Sequence, residues 1–259
     1  MSGGAFRNVR FPSLCALIRH PRHGYILYDT GYAPHFHSAT QSFPELLYRK
    51  VTPVHLPPEE HLITQLQSRG IRPADISIII ISHFHADHIA GLRDFPHARF
   101  IASAAEYQFV KRRSRIGRLR RAFLGELLPD DFEKRVTFVE QMSPVRLSKA
   151  LQPFSKGLDL LGDGSITGVD LPGHTESQLG LFIEDGNRER FLVADACWGI
   201  PALEKNRRPT FLASRVFSNF RLYNETFAAL RELHLRSGSP QVIPSHCDVT
   251  YQASMKSKQ

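Results

Sequence analysis

Residues 76–81 are five isoleucines and one serine, and after Ser82 the chain reads His83-Phe84-His85-Ala86-Asp87-His88. A run that is apolar on both faces fits a central strand covered by other layers. Four potential metal ligands then follow in six residues. His83 and His85 are two apart, so on an extended loop they can point the same way. Asp87 and His88 come as the chain turns towards a helix, and alternate residues can supply separate ligand sets. Neutral imidazole suits zinc and other borderline metals, and a carboxylate adds charge to balance a second cation. The motif reads as a pair of metal half-sites directly after a buried strand.

Two metals need more ligands than this, and the ends of later strands offer them. Pro172-Gly173-His174-Thr175 follows a strand expected at 166–170, Asp195 follows one at 190–194, and His246 follows one at 241–244. Each alone reads equally well as an ordinary histidine or turn aspartate. As an ordered set behind the first motif they read as ligands. The three cysteines, Cys15, Cys197 and Cys247, are odd in number and never form a C-x-x-C pair. That disfavours a disulfide framework and a structural thiolate site. Cys197 and Cys247 flank ligand candidates, but packing is the plainer role for them.

The remaining elements follow from periodicity and turn residues. Strands are expected at 15–19 and 24–28, with a turn between them, and then at 98–102, 136–139, 158–161 and 180–184. Helices are expected at 59–69, at 104–123 and at 217–236, with Asn224 capping the second half of the last one. Residues 32–58 read as an irregular loop with a short helix near 45–49. This alternation suits a sheet-on-sheet core with helices outside it, an α/β class. One domain over 1–259 is expected, with a basic helical insertion at about 104–135.

The chain has 259 residues, 42% of them apolar, enough for a substantial core. No apolar run approaches the ~18 residues of a membrane helix, and the first ten residues lack a leader pattern, so a cytoplasmic location is expected. The net charge of +8 is concentrated in residues 111–121, which carry seven basic side chains. Such a run can attract nucleic acid, but it has no interleaved aromatics for base stacking, and a solvated helix face is the plainer reading.

At this point the sequence resembles the dinuclear metallo-β-lactamase-fold hydrolases, from about residue 14 to residue 248. The resemblance rests on His83-x-His85-x-Asp87-His88, then His174, Asp195 and His246. It implies a four-layer αβ/βα sandwich and two divalent metal ions, zinc first among the candidates. His83, His85 and His174 would hold one ion and Asp87, His88 and His246 the other, with Asp195 bridging both. Asp29, in Tyr28-Asp29-Thr30-Gly31, matches an acidic position behind the metals. The implied chemistry is attack by a metal-bridging hydroxide, with Asp87 also carrying a proton to the leaving group.

Within that fold the pattern is most similar to the N-acyl-homoserine lactone lactonases, which implies a lactone or other ester-type carbonyl as the small-molecule substrate. One departure stands out. That subgroup usually has a tyrosine three residues after the bridging aspartate, and here the position is Trp198. Trp198, with Phe36, Phe43, Phe109, Phe123, Phe211 and Phe217, could wall an apolar pocket, although core packing explains each phenylalanine as well. A phosphodiesterase or nuclease using residues 111–121 is the second reading, and a metal-bound sensor or biosynthetic accessory protein with weak hydrolysis the third. Apolar segments near the site make a homodimer an expectation.

Overall fold

The computed structural model describes residues 11–186, 188–209 and 216–256; Phe211 and the first ten residues, expected above to line a pocket and to lack a leader, lie outside them. The chain forms two compact units, 15–138 and 139–259 with the N-terminal segment to Leu14.

The 15–138 unit is built on five strands: β1 Ala16–His20, β2 Gly24–Tyr28, β3 Ile76–Ile80, β4 Arg99–Ala102 and β5 Val136–Phe138. They lie in the order of their numbers. β1 and β2 form a hairpin, whereas β2, β3, β4 and β5 run parallel. The parallel strands need covering, and Ile76 and Ile79 of β3 join Phe36, Phe84, Phe95 and Phe100 in one buried cluster. Because β2 and β3 are parallel neighbours, with Tyr28 beside Ile80, their C-terminal ends open at the same edge.

Residues 104–123 form two helices where one was expected, Ala104–Lys111 and Arg115–Leu119. Ser114 breaks the run because its side chain accepts from the amide of Gly117 and so starts a new helix. His35–Ala39 is a helix inside the stretch expected to be irregular. The basic run is substantially engaged within this unit. Arg115 grips Glu45 through two bonds of 2.7 and 2.8 Å, Lys111 pairs with Glu133, and the guanidinium of Arg113 lies 4.0 Å from the ring centre of Phe109.

The second unit carries six strands: β6 Pro144–Arg146, β7 Lys156–Asp159, β8 Ile166–Asp170, β9 Leu179–Asp185, β10 Arg188–Ala194 and β11 Gln241–Pro244. Their order is β11-β10-β9-β8-β7-β6. Neighbours are antiparallel except β10 and β11. β8 and β10 flank β9 and therefore run the same way, and β11 runs with them. The C-terminal ends of β8, β10 and β11 thus share one edge, where His174, Asp195 and His246 follow. The helix Phe220–His234 packs Tyr223, Phe227, Leu230 and Leu233 on this sheet. It starts later than expected and is capped by Asn219, whose side chain accepts from the amides of Arg221 and Leu222 at 3.1 Å, not by Asn224. Among the described residues no helix is long and apolar enough to cross a membrane.

Candidate metal centre

In the first unit the motif leaves β3 through Ser82, and a short helix, Ala86–Ile89, begins after His85. His83, His85 and His88 are buried, and the ring of His83 lies 4.5 Å from that of His85 and 4.1 Å from that of His88. Asp87 is the partly open member, with 17% of its side chain exposed. Asp29 stands behind them at the end of β2 and is fully buried. Its carboxylate accepts from the amide of Ser82 at 2.8 Å, from the Ser82 hydroxyl at 2.7 Å and from Nδ1 of His88 at 2.7 Å.

These bonds decide which imidazole nitrogen is available. An ionised carboxylate can only accept, so Nδ1 of His88 carries the proton and Nε2 keeps the lone pair. Ser82 gives its proton to Asp29, and its oxygen can then accept from Nδ1 of His83 at 3.0 Å. The same assignment leaves Nε2 of His83 as an electron-pair donor. The aspartate therefore sets two imidazoles at once.

Asp29 adopts φ +59°, a left-handed conformation that asparagine and aspartate tolerate better than most residues. The turn is fastened to the motif by Thr30, whose amide and hydroxyl both donate to the carbonyl of His88 at 2.9 Å.

The second unit brings His174, Asp195 and His246 together. Oδ2 of Asp195 lies 3.2 Å from Nε2 of His174 and 3.1 Å from Nε2 of His246, and Oδ1 is also 3.1 Å from the latter. All three are buried. Nδ1 of His246 donates to the carbonyl of Pro12 at 2.6 Å, so the neutral ring points an Nε2 lone pair at the carboxylate. Two acceptors facing each other in a buried place repel, and a shared cation removes that repulsion. The donor set, two imidazoles on one carboxylate, fits a divalent ion such as zinc.

Local backbone features produce this convergence. Ala194 has φ +43° where the pairing of β10 with β11 shifts register, and its carbonyl accepts from the amide of Ser245 at 3.1 Å. Gly173 has φ +120°, and a Cβ there would lie 2.0 Å from the backbone nitrogen of Tyr223. Only glycine lets the His174 loop sit this close to the helix Phe220–His234. Cys197 is buried in the core of this unit, and that burial pushes its thiol pKa up, as suits a packing residue.

Trp198 sits in an aromatic wall of the second unit, with ring centres 5.6 Å from Phe11 and 5.7 Å from Phe217. Phe11 stacks on His246 at 4.4 Å, and Phe217 meets His174 edge-on at 5.1 Å. The other expected wall residues divide. Phe36 and Phe123 belong to the core of the first unit, Phe109 packs against it, and Phe43 is 72% exposed.

Several contributors carry little sequence signal. Ser82 is an ordinary serine until its two bonds to Asp29 are seen. Pro12 acts through a carbonyl, which no side chain announces. Tyr48 has its phenol pushed up by burial and then by the Asp87 carboxylate, which places it in the field of the motif.

The metallo-beta-lactamase superfamily matches residues 8–233. Among curated proteins, the chain is 26% identical to the N-acyl homoserine lactonase AttM of Azorhizobium caulinodans, over 95% of this chain and 86% of that protein. It is 26% identical to AttM of Rhizobium radiobacter over 61% of this chain and 55% of that one. Among solved structures, an N-acyl homoserine lactone hydrolase with its product N-hexanoyl-L-homoserine at the catalytic metal center superimposes with a TM-score of 0.69. It is 19% identical and the match covers 98% of this chain and 87% of that one. The mixed α/β fold with two sheets expected from the sequence is the fold these proteins share. The chain belongs to the metallo-beta-lactamase superfamily and is a metal-dependent hydrolase.

Proposed function

We propose that this hydrolase opens lactones, with acyl-homoserine lactones as the substrate class, in the cytoplasm. His83, His85 and His174 would hold one divalent ion, Asp87, His88 and His246 a second, and Asp195 would serve both. The observation that carries the metal reading is the buried Asp195 carboxylate facing two imidazole nitrogens. The lactonase relatives support the substrate class.

When bound, the ions supply Lewis acidity for an ester carbonyl and bring a water pKa near neutrality. The chain's own residues do the rest. Asp29 and Ser82 hold His83 and His88 in the tautomer that leaves Nε2 as donor. Asp87, the most open of the candidate ligands in its motif, is placed to carry a proton to the leaving oxygen. Trp198 offers an apolar wall and one N–H donor, which can steady a carbonyl but cannot protonate it.

The test is metal analysis by elemental emission beside a panel of acyl-homoserine lactones of several chain lengths, a thioester and bis-nitrophenyl phosphate. Two equivalents of metal with lactone turnover, abolished in His85→Ala, are expected. Bound metal with turnover only of the phosphodiester would overturn the substrate class and favour the phosphodiesterase reading. Bound metal without turnover of any substrate would favour the sensor.

A further inference from the structure

The first unit contains a surface cavity of about 400 Å³ that the hydrolytic reading does not use. We propose that it is a second ligand site, taking a small organic anion with a planar apolar body and a carboxylate or phosphate head, anchored by Arg118. The apolar floor comes from Tyr107, Phe123, Leu128, Pro129 and Phe132. The site is separate from the metal motif: the motif residue that meets these rings is Phe84, with ring centres 5.4 Å from Tyr107, 6.2 Å from Phe123 and 5.8 Å from Phe132.

The charges around the cavity select the head group. Its three carboxylates are each occupied by a cation. Asp130 pairs with Arg93 at 2.6 Å and Asp131 with Arg135 at 2.8 Å. Glu133 pairs with Lys111 and also accepts from the Tyr107 hydroxyl at 2.7 Å. Among the described residues, Arg118 and Lys134 line the same cavity with no carboxylate partner, so the lining and its paired cations carry a surplus of positive charge.

Arg118 is short of acceptors. Nη2 donates to the carbonyl of Lys111 at 2.5 Å, and that bond fixes the side chain across the turn between two helices. Nε is buried and makes no hydrogen bond. Nη1 faces Gly125, where an added Cβ would lie 3.7 Å away. The missing side chain leaves that end of the guanidinium open. A planar guanidinium held by packing and left without a carboxylate is suited to a carboxylate or phosphate, which it can bind through two parallel N–H bonds. The aromatic floor suits a flat apolar body.

The experiment is isothermal titration of the full chain with benzoate, phenyl phosphate and neutral benzyl alcohol, before and after metal removal by chelation. Expected is saturable binding of at least one anion, at least tenfold tighter than the alcohol and unchanged by chelation. Arg118→Gln should weaken it at least tenfold. Gly125→Leu, which fills the cavity beside Nη1 and leaves the Lys111 bond in place, should do the same. Circular dichroism of both variants checks that the fold is kept. No saturable binding, equal affinity for the alcohol, or binding that survives both substitutions would overturn the proposal. Anion binding lost on chelation would assign the anion to the metal centre and also overturn it. Because the chelated protein is an arm of the test, failure here is distinguishable from failure of the lactonase reading.

Discussion

Nδ1 of His88 lies 2.7 Å from Oδ2 of Asp29, in a place where neither side chain reaches solvent. The carboxylate fixes the tautomer of one imidazole directly and of a second through Ser82. Asp29→Asn keeps the size and the tolerance for φ +59° but removes the charge. The variant is expected to fold and to hold metal about 10- to 100-fold more weakly, the usual cost of losing a partner that orients a ligand. Metal content after dialysis against a graded chelator, with circular dichroism as the fold control, measures this. Retention equal to the parent would separate Asp29 from the metal.

Gly173 sets the position of the loop that carries the candidate ligand His174. A β-carbon there would overlap the backbone of Tyr223, and φ +120° is a conformation other residues adopt only under strain. Gly173→Ala should therefore push the His174 loop away from the helix Phe220–His234 and cost on the order of 3 kcal/mol. Urea denaturation would read the loss as a lower midpoint. A midpoint within error of the parent would show that the loop can relax without cost.

How much of this was legible in the sequence depends on whether a side chain carried the signal. The isoleucines of β3 and the candidate ligand motif behind them could be read because burial and the capacity to bind a metal both reside in side chains. His174, Asp195 and His246 could be read because each follows a strand, and sheet order explains why those strand ends share an edge. The break at Ser114 was hidden by a continuous helical composition on both sides. Asn219 and Asn224 are equally good cap residues by type, and only the bonds to Arg221 and Leu222 decide between them. The carbonyl of Pro12 that receives His246 had no signature at all, since any residue offers the same group.

Glu45 and Arg115 give a pH-dependent contribution to stability. The hydrogen bonds from Arg115 hold the carboxyl of Glu45 below its ordinary value of 4.5, outweighing its burial. The folded pKa is lower than the unfolded one, so the pair stabilises fully above about pH 4.5 and loses its effect as pH falls through the folded value. Glu45→Gln should lower Tm at pH 7, and the gap from the parent should shrink as pH drops below 4.5. Thermal melts of both proteins between pH 7 and pH 3 measure it. A gap that stays constant with pH would mean that packing, not charge, is what the substitution removes.

Trp198 is held between Phe11 and Phe217, and those rings lie on His246 and His174. Its indole is thus part of a wall standing on two candidate ligands, at the position where the resembled lactonases carry a tyrosine. Wall and donor can be separated by substitution. Trp198→Ala opens the wall and is expected to raise KM for a lactone more than it lowers kcat, because uniform apolar contact is lost. Trp198→Tyr keeps a ring and supplies a hydroxyl with the proton a carbonyl oxygen can use. A donor that can also release its proton to charge developing only in the transition state, in place of one that cannot, is worth about 1.4 kcal/mol, so kcat should rise about tenfold with KM little changed. Steady-state kinetics on a single acyl-homoserine lactone decide it. A tyrosine variant slower than the parent would mean that the indole N–H already fills the donor role.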